Sequence, residues 1–213
     1  MEDQLDSLRN DFTRGGLFLS HLDRNPFHQT KQWLKEAIES KLPEPNAMAL
    51  ATAGPSGVPH SRIVLLKDIR LDGLVFFTNY ESDKGEEIAL CPNVAGLFFW
   101  PLLERQLRFE GVAEKLPPEE SDVYFDSRPR PSQLGAWASP QSRVVADYEL
   151  LEKTYADVSQ LFEGQAVPRP AHWGGYIIRP RKFEFWQGRP GRLHQRFRYV
   201  NAGDDWTIET LAP

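Results

Sequence analysis

The dipeptide Asp72-Gly73 is the feature that most restricts how this chain can fold. It lies between two apolar runs, Arg62-Ile-Val-Leu-Leu-Lys67 and Leu74-Val-Phe-Phe-Thr78. An Asp-Gly pair between apolar, β-branched segments is a strong short-range signal for an antiparallel hairpin. It argues against a parallel, doubly wound sheet, as does the lack of a Gly-x-Gly-x-x-Gly segment after a strand. We therefore expect the first run to pair with the second.

The rest of the chain alternates between strand-like and helix-like patterns. We predict further strands at 47–53, 94–100, 105–113, 176–178, 183–186, 192–200 and 206–211. We predict helices at 5–12, from Pro26, at 82–91, from Pro118 and at 147–162, with a loop at 127–141. The helix from Pro26 has Asn25 as its N-cap and Phe27, Leu34 and Ile38 on one face. The fold class is mainly β with flanking helices (α+β), an antiparallel barrel with helices packed outside.

The composition excludes several classes of protein. A net charge of −5 argues against a general binder of nucleic acids or acidic membranes. One cysteine, Cys91, fits a reducing compartment, and with five scattered histidines it forms no metal-ligand pattern. No apolar run approaches the ~20 residues of a membrane helix, and the acidic N-terminus lacks the plan of a signal peptide. We expect a single cytoplasmic domain over 1–213 that holds no metal.

The run from Arg62 to Lys67 carries a cation at each end of four apolar residues. Four apolar residues in a row predict a strand buried on both faces. At ~3.3 Å per residue the two cations lie about 16 Å apart, a separation that suits two anionic groups or one long ligand. An ordinary core strand with solvated ends explains the same pattern.

Arg192, His194 and Arg196 form the clearest constellation of candidate binding residues. Alternation along the predicted strand places the three on one face, with Leu193 and Phe197 on the other. Like charges on one face are destabilising unless an anion is bound, so the pattern indicates an anion site. The alternative is a solvated face on which arginine stems cover apolar surface.

Other polar residues have weaker signals. Tyr124, Arg128 and Ser132 recur every four residues and could converge on a phosphate, although Pro129 favours a turn there. Lys84 lies in the first turn of a predicted helix, where a phosphate is favoured. Gln106 could recognise a heterocycle and Trp186 could stack on a ring. Each also has an ordinary explanation as a surface or core residue.

Taken together, these segments resemble the pyridoxamine 5'-phosphate oxidase family. The resemblance runs in order along nearly the whole chain and is carried by Arg62–Lys67, Phe77–Asn79, Glu104–Gln106, Tyr124–Trp137, Gln141–Ser142, Trp173–Gly175, Glu184–Gly188, Arg192–Phe197 and Leu211–Pro213. It implies an FMN-binding split β-barrel, present as a homodimer with two flavins at the subunit interface. It also implies oxidation of pyridoxamine or pyridoxine 5'-phosphate to pyridoxal 5'-phosphate, with dioxygen reduced to hydrogen peroxide.

The resemblance also implies roles for individual residues. Its cofactor-binding residues are Arg62, Ile63, Val64, Leu65, Leu66, Lys67, Phe77, Thr78, Asp83, Lys84, Gln106, Gln141, Ser142, Trp186 and Arg196. Its substrate-binding residues are Arg9, Phe12, Lys67, Tyr124, Arg128, Ser132, Arg192 and His194, of which Arg192 and His194 are also the catalytic pair. Residues 1–20 are expected to be a mobile segment that closes over the substrate.

Two positions depart from the family pattern. Asp83 stands where the family usually has Arg, and Phe12 stands where it usually has Tyr. An acid near the flavin phosphate weakens binding, by about 1 kcal/mol or less if the charge is solvated. On this basis alone, Asp83→Arg is expected to tighten FMN binding.

Two other functions fit the same residues. One is a same-fold flavin oxidase of another aromatic substrate, as in phenazine biosynthesis; Tyr124, Arg128 and Ser132 argue against it because they suit a phosphate ester. The other is a non-catalytic protein that binds flavin or pyridoxal phosphate. Assays with phosphorylated and unphosphorylated pyridoxine distinguish the three functions.

Overall fold

The computed structural model describes residues 12–13, 15–203 and 205–213, which form a nine-stranded antiparallel sheet flanked by five α-helices. The expected fold class, mainly β with flanking helices, is confirmed. The strands are β1 Ala47–Ala53, β2 Pro59–Leu65, β3 Asp68–Ile69, β4 Leu74–Asn79, β5 Asn93–Trp100, β6 Arg105–Lys115, β7 Trp173–Gln187, β8 Gln195–Asn201 and β9 Trp206–Leu211. The helices are α1 Pro26–Glu39, α2 Asp83–Leu90, α3 Pro118–Asp126, α4 Arg130–Ala138 and α5 Tyr148–Leu161.

The sheet is curled around its longest strand. Its order is β2-β1-β5-β6-β7-β4-β3, and β8 and β9 continue from β7. Strand β7, of 15 residues, pairs with β4 along its first part and with β8 along its last part, while β6 pairs with both parts. One element therefore holds both halves of the sheet in register.

The inner face of the sheet is the main hydrophobic core, and α1 closes it. Asn25 caps α1 by accepting the backbone N–H of Phe27 at 2.8 Å, as predicted. Trp33 then packs edge-on against Phe185 with ring centroids 5.0 Å apart, burial of the kind that stabilises by about 2 kcal/mol or more per aromatic side chain. The predicted apolar face of this helix is partly wrong, because Ile38 is 56% exposed. Ala37, one helical turn after Trp33, is the buried residue there.

The outer face of the sheet is covered at one end and open at the other. Helices α3 to α5 lie over the β4 end, where Phe77 packs with Tyr124 and Trp173. On the strands from β2 to β6 the same face leaves Ile63, Leu97 and Phe99 exposed. This open apolar face is a candidate for burial by another protein surface.

The Asp72-Gly73 hairpin is present, but its strands differ from those predicted. Strand β2 pairs with β1 along its whole length, and only the two-residue β3 pairs with β4. Gly73 does not have a positive φ; a Cβ there would come within 2.4 Å of Ile177 Cγ1. Close packing, rather than a left-handed turn, therefore requires glycine at this position.

The 62–67 run is not buried on both faces as predicted. Val64 is buried whereas Ile63 is 64% exposed, because β2 is an edge strand whose outer face is open. A run of apolar residues predicts contact with apolar surface, which a partner subunit can supply as well as the chain itself.

Several predicted boundaries also change. The segment 127–141, expected to be a loop, contains α4, with Pro129 as N-cap and Pro131 in the first turn, where proline is tolerated. The two strands expected at 176–178 and 183–186 are parts of the continuous β7. Helix α5 buries none of its residues, and its predicted apolar positions Leu150 and Leu161 are exposed. The helix predicted at 5–12 lies almost entirely outside the described residues.

Candidate functional site

A buried lysine at the start of α2 is the centre of the first cluster of predicted site residues. Lys84 is 7% exposed, and its ammonium group donates to Thr78 Oγ1 at 3.1 Å, Ser82 Oγ at 3.1 Å and Gln141 Oε1 at 3.4 Å. All three acceptors are neutral. Burial lowers the pKa of Lys84, and the charge of Arg62 lowers that pKa further. A buried ammonium without a carboxylate in hydrogen-bond contact is a ready site for an anion.

Local packing fixes the position of this lysine. Residue Gly85 follows it directly, and a Cβ there would come within 2.2 Å of the backbone oxygen of Tyr80. The absent side chain lets the first turn of α2 lie against the end of β4. Ser82 Oγ donates to the Asn79 carbonyl at 2.7 Å and ties the same turn to β4.

Arg62 lies beside Lys84 in a network of polar groups that includes buried Thr52 and Glu87. Its guanidinium donates to Thr52 Oγ1, to the Leu50 carbonyl at 3.3 Å and to Glu87 Oε2 at 3.3 Å. Glu87 also accepts hydrogen bonds from Thr52 and His60. Burial alone would raise the pKa of Glu87, but these hydrogen bonds and the charge of Arg62 outweigh it and lower that pKa. Glu87 therefore stays ionised and orients Arg62.

Two further predicted residues lie at the rim of this cluster. Ser142 has a φ of 69°, and the carboxylate of Asp83 is paired with Arg143 at 3.4 Å. The remaining residues of the 62–67 run belong to β2 or to the turn after it, and Lys67 has an exposed side chain and donates its backbone N–H to Val75 at 2.8 Å.

An aromatic stack carries the second cluster. The rings of Phe77 and Tyr124 are stacked with centroids 3.8 Å apart, and Trp173 stacks on Phe77 at 5.6 Å. Arg128 lies over the Trp173 ring at 4.4 Å. Its Nη1 is buried and has no hydrogen-bond partner in the described part of the chain. Burial lowers the pKa of Arg128. Keeping this side chain charged and partly desolvated therefore costs folding free energy, which a bound anion would offset.

The two clusters are linked through β4. Phe77 and Thr78 are neighbours in this strand, so their side chains point to opposite faces of the sheet. Thr78 faces Lys84, and Phe77 faces Tyr124. Ser132 lies in the first turns of α4, three residues after its N-cap Pro129.

The third cluster lies on the outer face of the sheet. Gln106 pairs with Trp186 across β6 and β7, and Trp186 pairs with Arg196 across β7 and β8. Residues directly opposite each other in antiparallel strands share a face. Arg196 also donates to Glu184 Oε1 at 2.9 Å and to the Ala212 carbonyl at 2.8 Å. Exposed Phe99 continues the row on β5.

The predicted strand alternation of Arg192, His194 and Arg196 is wrong. Strand β8 begins only at Gln195, and Arg192 ends a 3₁₀ turn with a φ of 61°. The His194 ring nevertheless lies 4.6 Å from that of Trp186, and its Nδ1 accepts the backbone N–H of Arg189 at 3.2 Å. Burial and the nearby Arg192 charge lower the pKa of His194, so its neutral form is favoured at neutral pH.

The N-terminal segment reaches the same cluster. The Phe12 ring packs edge-on against Trp186 at 5.7 Å and against His194 at 5.5 Å. The backbone N–H of Leu17 donates to Gln195 Oε1 at 2.7 Å. Arg9 lies outside the described residues.

Sequence reasoning missed four residues of these clusters: Thr52, Glu87, Arg143 and Trp173. Glu87 lies one helical turn after Lys84, a spacing that brings an acid to the same side of α2. Trp173 belongs to a segment that carried the resemblance, but no role was derived for it. Thr52 and Arg143 gave no signal in the sequence, since only the fold brings them to Arg62 and Asp83.

The residues present fit a phosphorylated, ring-containing ligand. Lys84 supplies a buried cation without an anionic hydrogen-bond partner, Arg128 supplies a buried unpaired donor, and Trp186 presents a partly exposed ring. The described residues contain no group of His, Cys, Asp and Glu suited to a metal ion.

Comparison with known proteins agrees with this chemistry. Residues 34–162 match the family model described as pyridoxamine 5'-phosphate oxidase, and residues 173–213 match that of the pyridoxine 5'-phosphate oxidase C-terminal dimerisation region. The pyridoxine/pyridoxamine 5'-phosphate oxidase of Paraburkholderia phymatum is 51% identical over 98% of this chain and 99% of its own. That of Synechocystis is 49% identical over 98% of both chains.

Among solved structures, PhzG from Burkholderia lata 383, in complex with tetrahydrophenazine-1-carboxylic acid, has a TM-score of 0.88. It is 33% identical, and the match covers 96% of this chain and 100% of PhzG. In the described part of the chain, none of the helices has the length and apolar character needed to cross a membrane. Two family models that together cover most of the sequence, and full-length relatives at about half identity, show that this chain belongs to the pyridoxamine 5'-phosphate oxidase family.

Proposed function

We propose that this protein oxidises pyridoxamine or pyridoxine 5'-phosphate to pyridoxal 5'-phosphate, with FMN as its cofactor. Dioxygen is the final electron acceptor and is reduced to hydrogen peroxide. When the substrate is the amine, one water is consumed and ammonia is released. The observation that carries the proposal, beside the family, is a pair of cations, buried Lys84 and half-buried Arg128 with its buried Nη1. Neither has a carboxylate in hydrogen-bond contact among the described residues. Two such cations suit two phosphate groups, one on the cofactor and one on the substrate.

The first cluster would hold the FMN phosphate. Lys84 and Arg62 supply charge, while Thr78 and Gln141 are the neutral partners that turn towards a bound phosphate. Asp83 and Ser142 lie beside them. Glu87 would keep the Arg62 guanidinium in place. Its charge favours the ionised form of Lys84, but it makes no hydrogen bond to the ammonium group and so leaves that contact to the phosphate.

The second cluster would hold the substrate phosphate. Arg128 offers an unpaired Nη1, and Tyr124 belongs to the stack of rings over which Arg128 lies. Ser132 and Lys67 complete the set that the family resemblance assigns to this phosphate. Arg128 is already held over Trp173, so little side-chain freedom is lost when an anion binds.

The third cluster would contact the flavin from a second copy of the chain, on the side of the flavin away from the first cluster. Arg62 pairs with buried Leu50 on the inner face of the sheet, whereas Gln106, Trp186 and Arg196 lie on the outer face. One copy cannot turn both faces towards one ligand. A homodimer whose interface includes the open outer face and the β2 edge that carries Arg62 would bring the Lys84 cluster of one copy to the Trp186 row of its partner.

When bound, FMN supplies the hydride acceptor and the reaction with dioxygen. The chain's own part is to bind the substrate by its phosphate, place its ring beside His194 and exclude water. Because Nδ1 of His194 accepts the Arg189 N–H, neutral His194 carries its proton on Nε2, which would donate to the substrate. Neutral His194 would therefore orient the substrate by donating a hydrogen bond, and the charge of neighbouring Arg192 would ease loss of the substrate proton as the carbon is oxidised.

PhzG-type oxidation of a phenazine precursor is the second candidate, favoured by the TM-score of 0.88. It requires no phosphate site, whereas Arg128 holds a buried unpaired donor. Turnover of pyridoxamine 5'-phosphate together with poor turnover of unphosphorylated pyridoxamine supports the proposal. Equal turnover of the two compounds would contradict the role of Arg128, and turnover of tetrahydrophenazine-1-carboxylic acid alone would favour the second candidate.

Two further parts of the proposal concern the whole chain. The reaction and the single cysteine fit a cytoplasmic enzyme. Residues 1–20 would close over the substrate, since Phe12 already lies against Trp186 and His194.

A further inference from the structure

An exposed arginine links the loop after α4 to the beginning of α2. Arg143 follows Gln141 and Ser142, and its guanidinium reaches three acceptors on the other segment. Nη1 is paired with Asp83 at 3.4 Å, while Nη2 contacts Glu86 and donates to the Glu81 carbonyl at 2.6 Å. One side chain therefore contacts three of the residues that surround Lys84 in the sequence.

The same loop turns Gln141 towards Lys84. Gln141 donates its backbone N–H to the Ser139 carbonyl at 2.9 Å, and Arg143 donates its own to Pro140 at 3.0 Å. Ser142 between them has a φ of 69°. The compact turn points the side chains of Gln141 and Arg143 at the same helix terminus, one to Lys84 and the other to Asp83.

Little else holds this loop in place. All residues from Ser139 to Leu150 are exposed. A loop with little buried surface has low local stability and opens readily. The ion pairs of Arg143 are therefore a main restraint on the position of Gln141.

We propose that Arg143 is a positioning residue of the flavin phosphate site, which it serves by tying the Gln141–Ser142 loop to the first turn of α2. The inference rests on the proposed function, because the phosphate to be bound is that of FMN. Arg143 itself is 43% exposed and bound to carboxylates. Its effect on FMN passes through Gln141 and Ser142, which form the rim of the site.

This tie reverses the expectation for Asp83. From the family pattern alone, Asp83→Arg adds a cation near the phosphate and tightens FMN binding. In the structure the new arginine would face Arg143 and remove one of its two carboxylate partners. We therefore expect Asp83→Arg to loosen FMN binding.

The test is FMN titration of the full-length apoprotein, followed by quenching of flavin fluorescence. Arg143→Gln is expected to raise Kd about 5-fold, the scale of one to two exposed ion pairs. Arg179→Gln is the matched control, since Arg179 is 44% exposed and also pairs with two carboxylates, Asp72 and Glu114. It is expected to leave Kd unchanged, and both variants should melt close to the wild-type temperature.

A double-mutant cycle separates the tie from a direct effect of charge on FMN. If Arg143 acts on FMN directly through its charge, its removal has the same effect on Kd whether or not Asp83 and Glu86 are charged. If Arg143 acts by tying the loop to α2, its removal matters only while Asp83 and Glu86 carry their charges. In an Asp83→Asn/Glu86→Gln background, Arg143→Gln should therefore change Kd by less than about 2-fold.

The outcomes are distinct. Failure of the wild-type protein to bind FMN would overturn the proposed function itself. If the wild type binds FMN and Arg143→Gln behaves like Arg179→Gln, the tie does not exist. An equal loss of affinity in both backgrounds would show that Arg143 acts on the phosphate directly, and that would also overturn the inference.

Discussion

Individual buried cations carry the argument for function. Lys84 is buried, Arg128 is half-buried with a buried Nη1, and burial lowers the pKa of each. A charge that is desolvated without an ionic partner costs folding free energy. Residues held at such a cost are typical of binding sites, where the ligand supplies the missing partner.

The first prediction concerns Arg128→Met, which keeps a long apolar stem and removes the unpaired donor. We expect the ligand-free variant to be at least as stable as the wild type in thermal unfolding, because no hydrogen bond of Nη1 is lost. Binding of pyridoxal 5'-phosphate should weaken about 10- to 100-fold, the worth of a charge-assisted hydrogen bond.

Arg130→Met is the control for that substitution. Arg130 donates to the Phe162 carbonyl at 2.6 Å and to that of Gln165 at 2.9 Å, so its loss should lower stability and leave ligand affinity unchanged. A drop in stability for Arg128→Met equal to that for Arg130→Met would show that Arg128 is an ordinary structural residue.

The second prediction concerns the pH dependence of stability due to Lys84. Its pKa in the folded protein is below the ordinary value of 10.5, so between the two values the unfolded chain binds more protons than the folded one. The free energy of unfolding of the ligand-free protein therefore rises with pH through this window. Below the folded-state pKa the full cost of the buried charge is present.

Thermal unfolding of wild type and Lys84→Met from neutral pH towards 10.5 isolates this contribution. The variant should be the more stable protein at neutral pH, and its advantage should shrink as pH rises. A stability difference independent of pH would mean that Lys84 does not titrate in this window.

At the scale of secondary-structure elements, the junction of β4 and α2 positions the Lys84 cluster. Strand β4 supplies Thr78 to Lys84, and the Gly85 turn presses α2 against Tyr80. The position of Lys84 is thus set by backbone contact rather than by its own side chain. Changes in this contact should therefore affect affinity as well as stability.

The third prediction concerns Gly85→Ala. A Cβ would meet the Tyr80 backbone oxygen at 2.2 Å, so we expect a loss of about 1–3 kcal/mol of stability and weaker FMN binding. Gly135→Ala, in the open interior of α4 with nothing within 4 Å, should instead stabilise by up to about 1 kcal/mol. Denaturant unfolding of both variants checks the pair, and equal behaviour would contradict the packing argument.

Sequence patterns predicted those elements that local signals define. The limits of β1 are as expected, and Asn25 caps α1. Helix α4 was missed because Pro129 and Pro131 read as turn residues, although both positions tolerate proline at a helix start.

The candidate site was only partly predictable from local patterns. The alternating pattern of β8 continues back through Arg192 and His194, so the sequence predicts a strand there. The positive φ of Arg192 cannot be predicted from the sequence, because this backbone conformation is signalled mainly by glycine. The Glu87 and Arg143 contacts join segments far apart in the chain. Such contacts depend on the whole fold, so pattern reasoning could not supply them.

At the scale of the whole molecule, one copy carries the Lys84 cluster and the Trp186 row on opposite faces of its sheet. The exposed side chains Ile63, Leu97 and Phe99 lie on the same face as Trp186, and Phe99 pairs with Gln106 of its row. A groove of about 400 Å³ crosses this face, and the chain from 173 onwards matches a dimerisation region. These features agree with a homodimer that completes its site across the interface.

The fourth prediction concerns Phe99→Glu, which places a charge on the open face. We expect it to shift the protein towards monomer and to weaken FMN binding, because a desolvated charge is costly in an interface. Leu71→Glu, at an exposed hairpin position (65% exposed), is the control and should remain dimeric. Sedimentation velocity over a range of concentrations distinguishes the two, and a dimeric Phe99→Glu protein would exclude this face.

The central claim is that a flavin bound by these clusters oxidises a phosphorylated pyridine compound. The most direct test is the visible absorption spectrum of the purified protein, before and after anaerobic addition of pyridoxamine 5'-phosphate and again after air is admitted. We predict a flavin band that bleaches with the substrate and returns in air. A flavin band that the substrate leaves unchanged, or a protein that takes up no added FMN, would contradict the account.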